Sequence, residues 1–147
     1  MSDLIFEPIT KQVISNKTVT ENKIVKKACL STINLYKRNG ASMPWIGYLC
    51  KKNGKYVGTC AFKNIPHSKS VEIIYYTFPK FEGKGIATQM AQYLVQIAQK
   101  GKLQQVTAQT KPQESPATTV LRKLGFQNIE TINHPVDGEV WTWRKKL

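Results

Sequence analysis

The sequence predicts an α/β fold: a mixed, mostly antiparallel sheet of about six or seven strands with helices on both faces. Three observations predict it. Strand-like and helix-like runs follow one another in the order β-α-β-β-β-α-β-α-β-β. A glycine-rich turn, Phe81 to Thr88, joins a strand-like run to a helical one. The 147 residues, 41% of them hydrophobic, suit one domain over residues 1–147 with a buried core.

Leu4 to Ile9 reads as a first strand. Thr18 and Glu21 stand three apart, as in a capping box, and a helix is expected from about Val19 to Arg38. Ile24, Ala28, Ser31 and Leu35 share one of its faces, and Gly40 is its stop signal. Trp45 to Cys50 and Tyr56 to Phe62 are strand-like, and Asn53-Gly54 between them signals a hairpin. Lys63 to Ser70 is a polar loop. Val71 to Thr77 is the next strand, ended by Pro79, which cannot continue a ladder.

A helix is expected over Ile86 to Lys100, with Ile86, Met90, Leu94 and Ile97 on the apolar side and Gly101 closing it. Leu103 to Gln109 is a strand. Ser115 is an N-cap and Pro116 a first helical residue, with Ala117, Val120, Leu121 and Leu124 as the apolar stripe and Gly125 as the stop. Phe126 to Ile132 and Glu139 to Arg144 are a final strand pair.

The turn before the Ile86 helix carries the chemistry. Gly83 and Gly85 let backbone approach a ligand with no Cβ in the way. The free N–H groups and positive dipole of a helix start attract an anion, and Gly85 to Thr88 contains no acid to oppose one. A Walker loop is absent, and the dinucleotide fingerprint fails because Thr88 stands where its third glycine belongs.

The string Tyr75 to Thr88 instead resembles motif A of the GNAT superfamily, the acyl-CoA-dependent N-acyltransferases, in the branch that acetylates ribosomal-protein N-termini. Gly85 and Ala87 fit the motif, whereas Glu82 stands where arginine or glutamine is usual. Ala108 to Phe126, ending in Leu124-Gly125-Phe126, is similar to the family's motif B.

The resemblance implies a GNAT-like fold and acetyl-CoA as cosubstrate. It implies pantetheine binding by the backbone of Tyr76, Thr77 and Phe78. The pyrophosphate would lie on the N–H groups of Gly83, Lys84, Gly85, Ile86, Ala87 and Thr88, with Ser115 and Lys123 as further cofactor contacts. Glu72, in the strand before motif A, is the candidate general base. Leu121 takes the place of a tyrosine that often serves as general acid, leaving Tyr75, Tyr76 or no acid for that step. Glu114 replaces a cofactor-contacting asparagine, and Ala117 a serine.

Net charge is +13, from 22 basic and 9 acidic residues. Residues 1–70 hold 12 basic and 3 acidic groups, or +9, so an anionic acceptor is one expectation. Cys29, Cys50 and Cys60 form no CxxC pair, which argues against a zinc site and for free thiols in a reducing cytoplasm. No run approaches the roughly 18 apolar residues of a membrane span, and Met1 to Thr10 lacks a signal pattern.

The leading expectation is an acetyl-CoA-dependent N-acetyltransferase, monomer or homodimer, acting on a primary amine of a small molecule, peptide or protein by direct attack. A non-catalytic CoA-binding protein of the same fold is the alternative. A basic nucleic-acid binder ranks third, because the lysines do not interleave with aromatic stacking platforms.

Overall fold

The structure is a computed structural model describing residues 4–147; Met1, Ser2 and Asp3 of the stretch read for a signal pattern lie outside it. Seven strands form one sheet in the order β1-β2-β3-β4-β5-β7-β6. They are β1 (Leu4–Pro8), β2 (Gly47–Lys52), β3 (Lys55–Phe62), β4 (Ser70–Thr77), β5 (Gln105–Thr110), β6 (Gln127–His134) and β7 (Gly138–Lys146). All neighbours are antiparallel except β4 and β5. Asn53 and Gly54 turn the β2–β3 hairpin with φ of 50° and 78°, the two left-handed residues of a type I′ turn.

The helices are α1 (Lys17–Thr20), α2 (Lys23–Asn39), α3 (Ile86–Lys100) and α4 (Pro116–Lys123). One face of the sheet buries α3 and α4. There Ile86, Met90, Leu94 and Leu121 meet Phe62, Ile73, Val106 and Trp143. The other face carries α1 and α2, where Val19, Val25, Cys29 and Ile33 pack on Ile9, Leu49 and Phe78. Trp143 is fully buried, and its indole N–H donates to Thr110 Oγ1 at 3.0 Å. Trp143→Ala is expected to cost about 3–5 kcal/mol, read as a lower urea midpoint at unchanged slope.

The first helix departs from expectation. Asn16 Oδ1 caps α1, and Asn22 Oδ1 accepts from Ile24 and Val25 N–H to start a second helix. Two asparagine caps six residues apart outcompete the Thr18–Glu21 box, so the chain breaks at Glu21–Asn22. Gly40 closes α2 at φ 83°, as expected. The face of α2 that is buried is Val25, Cys29, Thr32 and Ile33; the Ile24–Leu35 face looks into a cleft. No described helix is long and apolar enough to cross a membrane.

Candidate active site

The site starts where β4 and β5 part. They pair in parallel only at Ser70–Gln105, Val71–Val106 and Glu72–Thr107, although β4 runs on to Thr77 and β5 to Thr110. Beyond Glu72 a slot opens between them. Which backbone groups face it follows from the opposite ladder. Lys63 N–H donates to Glu72 O and Phe78 N–H donates to Val57 O, with Tyr76 opposite Thr59 between them. Even-numbered β4 residues therefore bond to β3, and the N–H and C=O groups of Ile73, Tyr75 and Thr77 point toward the slot.

This corrects the phase of the sequence reading. Thr77 stays on the slot, whereas Tyr76 pairs with Thr59 of β3, and Phe78 donates its N–H to Val57 O of β3 and accepts at its carbonyl from Phe81 N–H. Phe78 is buried in the α2-side core, and the Tyr76 ring is half-exposed in the cleft beneath α2. Thr77 Oγ1 is buried with no hydrogen-bond partner, a free polar atom at the slot.

At the wide end of the slot lies the glycine loop. A 3-10 turn, Pro79–Phe81, leads into Gly83 and Gly85, both left-handed at φ 77°. An added Cβ at either would meet nothing within 4 Å, so open space stands in front of both. Gly85 is the N-cap of α3, and no side chain caps the helix. The first-turn N–H groups of Ile86, Ala87 and Thr88 thus start a 15-residue helix with no acid in that turn. The exposed Lys84 lies over the Phe81 ring at 5.8 Å.

Across the slot, the α4 N-terminus is fixed by a full capping box between Ser115 and Thr118. Ser115 Oγ accepts from Thr118 N–H, so this hydroxyl is engaged in capping, and Lys123 is exposed in the last turn. Glu114 is held by Arg122: Nη2 donates to Oε2 at 2.8 Å and Nε donates to Oε1 at 3.3 Å. The guanidinium hydrogen bond, together with the Thr118 hydroxyl, holds the Glu114 carboxyl below the usual carboxylate range. The same guanidinium lies 4.9 Å from the Trp143 ring. The Glu114 carboxylate is thereby partnered by a side chain of α4, a pairing the sequence reading missed.

At the closed end of the slot stands Glu72. Its Oε2 lies 3.0 Å from Lys63 Nζ, out of line for a hydrogen bond, so the pair is electrostatic. Glu72 shares the α2-side face of β4 with Ile74 and Tyr76, where a cleft of about 830 Å³ lies against α2. Tyr75 faces the other way and donates from its hydroxyl to Ala117 O at 3.2 Å, bridging β4 to α4. Burial pushes this phenol up, so it stays protonated at neutral pH. Leu121 is fully buried in the α3-side core.

The sequence matches the acetyltransferase (GNAT) domain over residues 7–127. The chain belongs to the GNAT acetyltransferase family. Among solved structures, this GNAT protein is similar to RimL, the ribosomal L7/L12 alpha-N-protein acetyltransferase, in complex with coenzyme A. The TM-score is 0.74 at 16% identity, covering 100% of this chain and 96% of that one. A Salmonella typhimurium acetyltransferase that modifies the N-terminal serine of the same ribosomal protein gives 0.73 at 18% identity, over 100% and 96%. The ribosomal-protein-S5-alanine acetyltransferase of Vibrio fischeri gives 0.71 at 15%, over 99% and 94%. At these identities the likeness is one of fold. No curated protein matches by sequence. The splayed β4–β5 pair and the uncapped α3 start both lie within the matched span, and the family's cosubstrate is acetyl-CoA.

Proposed function

We propose that this protein moves an acetyl group from acetyl-CoA to a primary amine of a small molecule, peptide or protein, by direct attack in a ternary complex in the cytoplasm. The single observation that carries this is the continuity of the slot with the glycine loop: an unpaired strand edge leads to an uncapped helix N-terminus. The residues fit the cosubstrate, because Thr77 Oγ1 is a buried polar atom without a partner and the loop glycines leave room for phosphate. Acetyl-CoA supplies the activated thioester.

The chain's own groups do the rest. The slot-facing backbone of Ile73, Tyr75 and Thr77 adds to an amide-bearing arm as a further strand would. The N–H groups of Gly83 to Thr88 and the Lys84 ammonium receive the pyrophosphate, and Lys123 adds charge from α4. Glu72 takes the proton from the attacking amine. With Leu121 aliphatic and buried, a proton for the departing thiolate comes from solvent or from the neutral Tyr75 phenol. A thiol titrates near pH 8.5, so its thiolate leaves without obligatory protonation.

Direct attack is favoured because the cysteines make poor nucleophiles. Burial pushes the Cys29 thiol up to about 11 and the Cys60 thiol well above its ordinary value, and Cys50 is buried beside Cys60. The test is thiol release with an amine panel, followed by intact-mass measurement. Turnover with no acetylated protein intermediate is expected; a stable acetyl-enzyme would overturn direct attack. Binding of acetyl-CoA with no turnover on any amine would favour the non-catalytic alternative, which Leu121 supports.

Arg122 supplies a further prediction. Arg122→Ala frees the Glu114 carboxylate, which stands where the resemblance implies a cofactor-contacting asparagine, and is expected to weaken acetyl-CoA binding about threefold. A second change, Glu114→Gln, should restore it, measured by titration calorimetry. Acidification should remove the ion pair as well. Glu114's folded pKa is lowered, so the stability it gives is present above the ordinary carboxylate range and lost as pH falls through the folded value.

A further inference from the structure

The acceptor's chemistry is legible in the cleft beneath α2, given the reading of an amine acetyltransferase. We propose that the acceptor is a peptide N-terminus with acidic residues within its first several positions, lying extended along this cleft. One wall is the α2 face Ile24, Lys27, Ser31, Leu35 and Arg38, at spacings of three and four. The other is the β3–β4 face, including Lys63, whose ammonium lies 3.0 Å from Glu72 Oε2 where the slot closes. Ile24, Ile74 and Tyr76 are 47%, 49% and 48% exposed, so three of the large apolar side chains left open by folding gather here.

The charges in the cleft are all of one sign. No aspartate or glutamate lines it, and α2 itself contains no acid. Lys63 is satisfied by Glu72. Lys27 and Arg38 are exposed, and neither has a carboxylate within 4.0 Å among the described residues.

Spacing decides between a small acid and a peptide. Lys27 and Arg38 are eleven positions apart on one helix, which places their backbones roughly 16 Å apart. Asn39 Nδ2 bonds to Lys63 O, so the Arg38 end of the helix is the end near Glu72. A single amino acid reaches one cation only. An extended chain, at about 3.3 Å per residue, passes both within about five residues. A peptide whose amine sits at Glu72 therefore offers a first carboxylate to Arg38 and a later one to Lys27. Its apolar atoms cover Ile24, Ile74 and Tyr76. Attack forms the amide bond, breaks the thioester, and sends the amine proton to Glu72.

The test is fluorescence anisotropy with C-terminally labelled seven-residue peptides carrying aspartate at positions 2 and 6, or asparagine or lysine at both. The acidic peptide is expected to bind about tenfold more tightly than the asparagine one, with the advantage shrinking as salt rises. The double variant Lys27→Glu, Arg38→Glu should erase that preference and turn it toward the lysine peptide. Its acetyl-CoA affinity should stay at the wild-type value, and its melting temperature should fall only slightly, because Arg38→Glu puts an acid in the last turn of α2. Equal binding of acidic and neutral peptides, or a preference the double variant keeps, would overturn the proposal. So would displacement of the peptide by free aspartate at equal concentration, which indicates a small-molecule acceptor, or stronger displacement by an oligouridylate, which indicates a nucleic-acid face. The readout needs no turnover, so absent acetyl-CoA binding would count against the transferase reading alone.

Discussion

Replacing Gly85 with glutamate is expected to abolish acetyl-CoA binding while the fold survives. Gly85 holds φ 77° at the N-cap of α3, a left-handed conformation that costs other residues about 1–2 kcal/mol. Space is not the obstacle, because an added Cβ meets nothing within 4 Å. Gly85→Ala therefore carries the backbone strain alone, whereas Gly85→Glu carries the same strain and also a carboxylate where the helix start receives phosphate. Like charges in contact cost several kcal/mol, which is at least about a hundredfold in affinity. Titration calorimetry should show weakened binding for the alanine variant and none for the glutamate variant, with both melting temperatures lowered by similar amounts. Undiminished binding by Gly85→Glu would place the phosphates elsewhere and remove the main support for the slot as the cosubstrate site.

That loop was legible because its signals are local. Gly85 and Pro116 fix helix starts through their own backbone preferences and Ser115 does so through its side-chain cap, and the start of α3 follows directly. The hairpin at Asn53-Gly54 is local in the same way. What the sequence did not show depends on partners far along the chain. The identity of the slot-facing residues turns on the β3 register, in which Lys63 and Val57 claim Glu72 and Phe78. A period of two offers two phases, and nothing within Val71 to Thr77 selects one. Arg122 silencing Glu114 across eight residues needs the α4 turn and the Trp143 ring beneath it. The open face of α2 could be misjudged for a related reason. Ile24, Ala28 and Leu35 have the spacing of a buried stripe, yet Val25, Cys29 and Ile33 have it too. Packing against Leu49 and Ile9 decided between them. The break at Asn22 is the exception, a local signal that was available, since Asn16 and Asn22 are both good caps.

Glu72→Gln is expected to lower the transfer rate by about 10²–10⁴-fold with acetyl-CoA affinity unchanged, because a positioned general base contributes that much. The prediction separates a catalytic carboxylate from a structural one. Glu72 also pairs with Lys63, and their side chains are 25% and 28% exposed, so the ion pair itself stabilises the fold by under about 1 kcal/mol. If pairing were its whole purpose, Lys63→Ala and Glu72→Gln would do equal and slight harm. A base predicts asymmetry: Lys63→Ala leaves the carboxylate in place beside the Glu72–Thr107 junction and retains most of the turnover, whereas Glu72→Gln keeps a nearly identical shape and loses kcat. The wild-type KM for the amine should change little in Glu72→Gln, since the glutamine occupies the same volume and removes only the proton acceptor. Turnover of Glu72→Gln within about threefold of wild type would mean that water takes the proton, and that Glu72 serves the site by holding Lys63 at the end of the acceptor cleft.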